Sequence, residues 1–133
     1  MSQFEVIKDD HQLYAYVVRA RTDLTGVNFV TSDENAFQLA TSEYTSDQKV
    51  KAHFHLSQDR VVKDTQECLF IVKGEAQVTI YSDRTTVHSR HTLKTGDVIL
   101  FVSGGHGITF SQTTRIVEVK QGPYYGYGKD KEL

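Results

Sequence analysis

Short runs of β-type residues, each closed by a turn, are what most limit the folds open to this chain. Gln77-Val78-Thr79-Ile80-Tyr81 alternates polar and apolar side chains, as a half-buried strand does. Arg115-Ile116-Val117-Glu118-Val119 is rich in β-branched residues. Leu69-Phe70-Ile71-Val72 and Val98-Ile99-Leu100-Phe101-Val102 are apolar throughout, which suits strands covered on both faces. Turn signals punctuate these runs at Lys73-Gly74-Glu75, Ser82-Asp83-Arg84, Thr95-Gly96-Asp97 and Ser103-Gly104-Gly105. Helical spacing of apolar residues is nearly absent. Many short strands at this spacing mean a sandwich or a barrel. The part of the chain before residue 45 reads the same way with less contrast, and a short helical turn is expected from Ser32 to Ala36. The tail, Gly122-Pro123-Tyr124-Tyr125-Gly126-Tyr127-Gly128, reads as an ordered loop or edge segment.

At 133 residues, with no Gly/Ser or Pro-rich linker and no internal repeat, residues 1–133 form one domain with room for a real core. A hydrophobic content of 38% and a charged content of 24% exclude a disordered chain and a coiled coil. The formal charge of −2, with Lys and Arg scattered, gives no support to a nucleic-acid or anionic-membrane partner. No apolar run approaches the roughly 20 residues needed to cross a bilayer. The first ten residues, MSQFEVIKDD, lack the apolar stretch of a signal peptide. A single cysteine, Cys68, excludes an internal disulfide. Together these features read as a soluble, cytoplasmic protein.

The residues that could carry chemistry begin at His53-Phe54-His55. In a strand, alternate side chains share a face, so His53 and His55 are expected to point the same way and Phe54 the other. Two imidazoles side by side suit Zn, Fe, Mn, Ni or Cu, and a stable site needs at least a third ligand. A carboxylate from the next strand is the natural candidate, and Asp59 and Glu67 are both available.

Here the sequence resembles the cupin superfamily. The family's first motif pairs His-x-His with a Glu that stands seven residues before a Gly; His53, His55, Glu67 and Gly74 repeat it. The gap of eleven residues between His55 and Glu67 is longer than is usual in the family. Gly96-Asp97-Val98-Ile99-Leu100-Phe101 resembles the start of the second motif, with Val102 where the family has Pro, Gly104 in place, and His106 one residue early. Phe110 stands where an Asn often follows. The resemblance covers about residues 45–120. It implies an all-β, antiparallel jelly-roll barrel and a divalent metal (Zn, Fe, Mn or Ni) held by His53, His55, Glu67 and His106. Glu67 is preferred to Asp59 because it keeps its distance to the glycine turn. Small cupins resemble one another in pairing by sheet edges, which implies a homodimer formed through the aromatic tail and the N-terminal strands. The segments Thr65 to Lys73, Ser103 to Phe110 and Val117 to Tyr124 resemble a subgroup of small stand-alone bacterial cupins, some of which work on nucleotide sugars or other carbohydrates.

Each of these residues also has a plainer role. A His-x-His on a strand can be structural, and His106 among glycines can cap a turn. His11, His88 and His91 read as surface or strand-face residues, and Cys68, in an apolar run, as a small hydrophobe. Tyr124, Tyr125 and Tyr127 suit a barrel end or a dimer interface as well as a sugar face. Arg60 and Lys63 read as solvated loop charges. Three functions stay open. One is a metal-dependent isomerase, epimerase or oxygenase on a small polar substrate, in which the metal polarises a carbonyl or enediolate oxygen or binds dioxygen through open coordination positions. The second is a non-catalytic module that binds a small ligand such as a sugar. The third is a structural or regulatory dimer with a vestigial pocket. No nucleophile–base–acid triad and no phosphate-cradling glycine loop before a helix is present in the pattern, which removes hydrolases and nucleoside triphosphatases.

Overall fold

The computed structural model describes residues 4–23 and 25–132. Its regular structure is all β, in ten strands. They are β1 (Glu5–Lys8), β2 (Leu13–Val18), β3 (Gly26–Phe29), β4 (Ala40–Glu43), β5 (Glu67–Lys73), β6 (Glu75–Tyr81), β7 (Val87–Lys94), β8 (Val98–Phe101), β9 (Gly105–Phe110) and β10 (Arg115–Lys120). All pair antiparallel, in a five-stranded sheet ordered β1-β2-β8-β5-β10, a three-stranded sheet ordered β7-β6-β9, and the hairpin β3-β4. The strands expected around residues 69–72, 77–81, 98–102 and 115–119 are all present. Among the described residues no helix is long and apolar enough to cross a membrane.

Two expectations meet a different structure. None of the three sheets closes into a barrel. Residues 44–66, which carry the His-x-His pair, belong to no strand, so among the described residues no strand closes the free edges of the two larger sheets. From Ser32 to Ala36 the chain makes a turn closed by Asn35 N–H to Ser32 O at 3.1 Å, without a helix; Asn35 and Gln38 side chains bond the turn's own backbone in place of a helical ladder.

The core lies between the two larger sheets. Ile7, Tyr14, Ala15, Val17, Leu69, Ile71, Ile99 and Phe101 from one sheet meet Ala76, Val78, Ile80 and Leu93 from the other. The alternation read in β6 is the physical basis: Ala76, Val78 and Ile80 turn inward and are buried, while Gln77 and Thr79 are only partly covered. Two glycines hold the crossings between sheets. Gly74, at φ +113°, joins β5 to β6, and a Cβ there would lie 2.5 Å from Thr114 Oγ1 and 2.8 Å from its Cα. Gly104, at φ +75°, joins β8 to β9, where a Cβ would lie 2.5 Å from the Tyr81 carbonyl oxygen. Any side chain at either place meets both steric clash and a left-handed backbone.

A buried carboxylate fixes the β7–β8 turn. Asp97 is 5% exposed. It accepts hydrogen bonds from Lys94 N–H at 2.8 Å, from Ala20 N–H at 2.9 Å and from Arg19 Nη1 at 3.1 Å. Arg19 in turn reaches Glu5 on β1 at 2.5 Å, so one acidic side chain ties the turn to the chain leaving β2 and, through Arg19, to the sheet edge.

Candidate functional site

At one end of the sandwich the inward-facing rows change from apolar to polar. On β5 the row runs Ile71, Leu69, Glu67; on β10 it runs Ile116, Glu118, Lys120; on β8 it ends at Phe101, and on β9 it runs Ile108, His106. Register therefore places Glu67 beside Lys120 on one side and Phe101 on the other, with His106 reaching across from the second sheet. These side chains line an open cavity of about 1030 Å³. The carboxy-terminal tail contributes Tyr124 and Tyr127 to the same wall.

His106 Nε2 lies 3.2 Å from Glu67 Oε2. The imidazole is stacked on Phe101, with ring centroids 3.8 Å apart and planes within 7°. That stacking holds the ring nitrogen toward the carboxylate. The His106 contact lowers the Glu67 pKa against the opposing pull of burial, and Glu118 also hydrogen-bonds to Glu67. Glu118 moves the other way: sharing a hydrogen bond with Glu67 raises its pKa, with burial adding to the effect. Two adjacent carboxyls do not ionise equally easily, so Glu118 is the one favoured to keep a proton. Lys120 Nζ sits 3.7 Å from Glu118 Oε1 and 5.2 Å from the centre of the Tyr124 ring. An imidazole and two neighbouring carboxyl groups, side by side on a cavity wall, are groups of the kind that serve in proton transfer. They can also hydrogen-bond hydroxyls, and the tyrosine faces offer apolar cover.

The four residues matched to metal ligands fall into two pairs. Glu67 and His106 are together in the cavity. His53 and His55 are together elsewhere, with ring centroids 5.1 Å apart, on the exposed segment 44–65, and neither lines the cavity. His53 Nδ1 is taken up locally by Lys51 O at 2.8 Å. Among the described residues no group of three or more His, Cys, Asp or Glu side chains is arranged to hold a metal ion. As arranged here, the four expected ligands do not fit one metal.

The remaining candidates are placed as follows. Asp59 and Arg60 are exposed on the same segment as the histidine pair, and Lys63 borders a neighbouring cleft with Gln121 and Tyr125. Burial raises the Cys68 pKa, which disfavours a thiolate. His11 is exposed in the β1–β2 turn. His91, its pKa lowered chiefly by burial, shares the Ser89 hydroxyl with His88, at 2.8 Å and 3.1 Å. Glu118, Lys120 and Phe101 were not singled out by sequence reasoning. The signal for the first two lay in the alternation of Val117-Glu118-Val119-Lys120, whose polar members share one strand face. No protein-family model matches the chain, and neither does any curated protein or any solved structure.

Proposed function

We propose that this chain binds a small polar molecule, a sugar or nucleotide sugar, in the cavity beside His106, and acts on it by proton transfer as an isomerase or epimerase does. The observation that carries this reading is the Glu67–His106 contact, with Glu118 beside it, on the wall of an open cavity of about 1030 Å³. A cavity of that size is in the range that accepts a small ligand. Moving a proton next to a carbonyl needs one group to take it and one to return it. Glu67, held ionised beside His106, and Glu118, favoured as the acid, differ in the required direction. Tyr124 and Tyr127 supply the flat apolar faces on which sugar rings pack.

The test is calorimetric titration of a panel of sugars and nucleotide sugars, followed by proton NMR of any bound compound in heavy water. Binding should weaken at least tenfold on His106→Ala, and the native protein should exchange a carbon-bound proton next to the substrate carbonyl. Equal binding by native protein and variant removes the site. Binding without exchange in the native protein leaves a non-catalytic carbohydrate-binding module.

A second reading is a jelly-roll of the cupin kind with a divalent metal held by His53, His55, Glu67 and His106. It is favoured by the adjacency of the two histidine rings and by their position on a segment with no strand partner, free to be brought to the cavity. On this reading, protein purified without an affinity tag carries metal or gains thermal stability from Zn²⁺, Mn²⁺, Ni²⁺ or Fe²⁺. His53→Ala and His55→Ala abolish the effect, and Glu67→Ala weakens it more than Asp59→Ala. A protein with neither metal nor metal-dependent stability refutes it.

A further inference from the structure

The segment that follows β10 runs between two spaces. Tyr124, Tyr127, Lys131 and Glu132 line the cavity of about 1030 Å³ that holds Glu67 and His106, while Pro123, Tyr125 and Lys129 line the neighbouring cleft of about 760 Å³. Asp130 borders both. The segment is folded on itself. The Asp130 carboxylate accepts hydrogen bonds from Tyr125 N–H at 2.5 Å and Gly126 N–H at 3.2 Å, and Gly128 N–H reaches Lys131 O at 2.9 Å. These bonds are internal, so they hold the segment together without holding it to the sheets.

Its two ends are fastened unequally. At the near end Gln121 Oε1 accepts Gln66 N–H at 2.7 Å, and the buried Gln66 side chain exchanges hydrogen bonds with Asn35 at 2.8 and 3.1 Å. Gly122 follows, where a Cβ would meet nothing within 4 Å, so the backbone has room to turn. At the far end Glu132 pairs with Arg84 of the β6–β7 turn, and both side chains are mostly exposed, at 67% and 73%. Between the ends little is buried: Tyr124, Tyr125 and Tyr127 are all exposed. A stretch with so few buried contacts opens at small free-energy cost.

We propose that residues 123–132 are a hinged strap over the cavity, turning at Gly122 and latched by Arg84 with Glu132. Closed, the strap sets Tyr124 and Tyr127 on the cavity wall. Open, it withdraws both and joins the cavity to the neighbouring cleft, which gives a ligand a way to Glu67 and His106 without any strand moving. An exposed ion pair favours the paired state by a factor of about two to five, which suits a gate in ready exchange. Salt screens such a pair, so the strap opens more as ionic strength rises. The gate serves whatever small molecule the cavity takes, whether or not a proton is transferred there.

The experiment is pulsed electron spin resonance between labels at Arg90→Cys, exposed on β7, and Lys129→Cys, exposed on the strap, with Cys68→Ala removing the native thiol. Three proteins are compared: the labelled chain, the same with Arg84→Glu, and the same with Arg84→Glu and Glu132→Arg, which restores the pair with its signs exchanged. Circular dichroism establishes that all keep their strand content. The expected result is a main distance from the closed strap and a minor, displaced one that grows at least about twofold in Arg84→Glu and returns to its starting share in the exchanged pair. Raising the salt from about 0.05 to about 0.5 M should enlarge the displaced share in the labelled chain and shrink it in Arg84→Glu, where salt screens a repulsion. One distance common to all three proteins overturns the proposal. Growth in Arg84→Glu that the exchanged pair does not reverse overturns it too, since the damage then lies in the turn and not in the latch.

Discussion

Replacing Asp97 by Ala should be among the most damaging polar substitutions in the chain. The carboxylate is buried and accepts three hydrogen bonds, from Lys94 N–H, Ala20 N–H and the Arg19 guanidinium. Alanine leaves two backbone donors without an acceptor and strips a charged partner from Arg19, whose side chain is only 18% exposed. A hydrogen bond to a charged group contributes about 1.5–3 kcal/mol, and removing one partner of a buried ion pair costs about 3–5 kcal/mol. These terms overlap, because the same oxygen atoms serve all three donors, so the expected loss is about 3–5 kcal/mol in total. For a chain of this length each kcal/mol lowers the melting temperature by about 3–4 °C, which gives a fall of roughly 9–20 °C. Asp97→Asn should lose more than half as much, since its amide nitrogen must face one of the three donors. The assay is thermal unfolding by circular dichroism at fixed protein concentration. A fall of less than about 3 °C for Asp97→Ala would mean that water replaces the carboxylate at little cost, and would refute the account of the β7–β8 turn.

Gly104→Ala should cost about 2–4 kcal/mol, because a Cβ must enter a left-handed backbone position 2.5 Å from the Tyr81 carbonyl; urea unfolding reads it, with Gly122→Ala, where a Cβ meets nothing within 4 Å, as the comparison. Leu93→Ala, at a fully buried position of β7 facing the opposite sheet, should cost about 2–5 kcal/mol in the same assay. The pair Glu67 and Glu118 should give opposite pH signatures. Glu67 has a lowered pKa, so its stabilisation is complete above its ordinary value of 4.5 and is lost as pH falls below it. Glu118 has a raised pKa, so it costs stability once pH rises through that value. Melting temperature against pH should therefore show Glu67→Gln less stable than native protein at pH 7 and Glu118→Gln equal or more stable; the reverse order would refute the assignment of the proton to Glu118.

The sequence alone marked β5, β6, β8 and β10, because alternation and unbroken apolarity are local patterns. Alternation in Gln77 to Tyr81 and unbroken apolarity in Leu69 to Val72 and Val98 to Phe101 reflect which faces are covered, and glycines at 74, 96 and 104 mark places where only glycine tolerates the backbone. Glu67 and His106 were also legible, through motif spacing, and they do meet. What the sequence did not determine is how strands separated along the chain are arranged. His-Phe-His has strand-like alternation, but a strand exists only with a partner, and residues 53–55 have none within the described chain. Glu118 and Lys120 belong to no motif that marks them as site residues; the β-branched run around them marks only a strand. Only the register of β10 against β5, which sets Lys120 opposite Glu67, shows that the polar face turns toward the cavity and the apolar face toward solvent. That choice depends on contacts distant in sequence, and no local pattern encodes it.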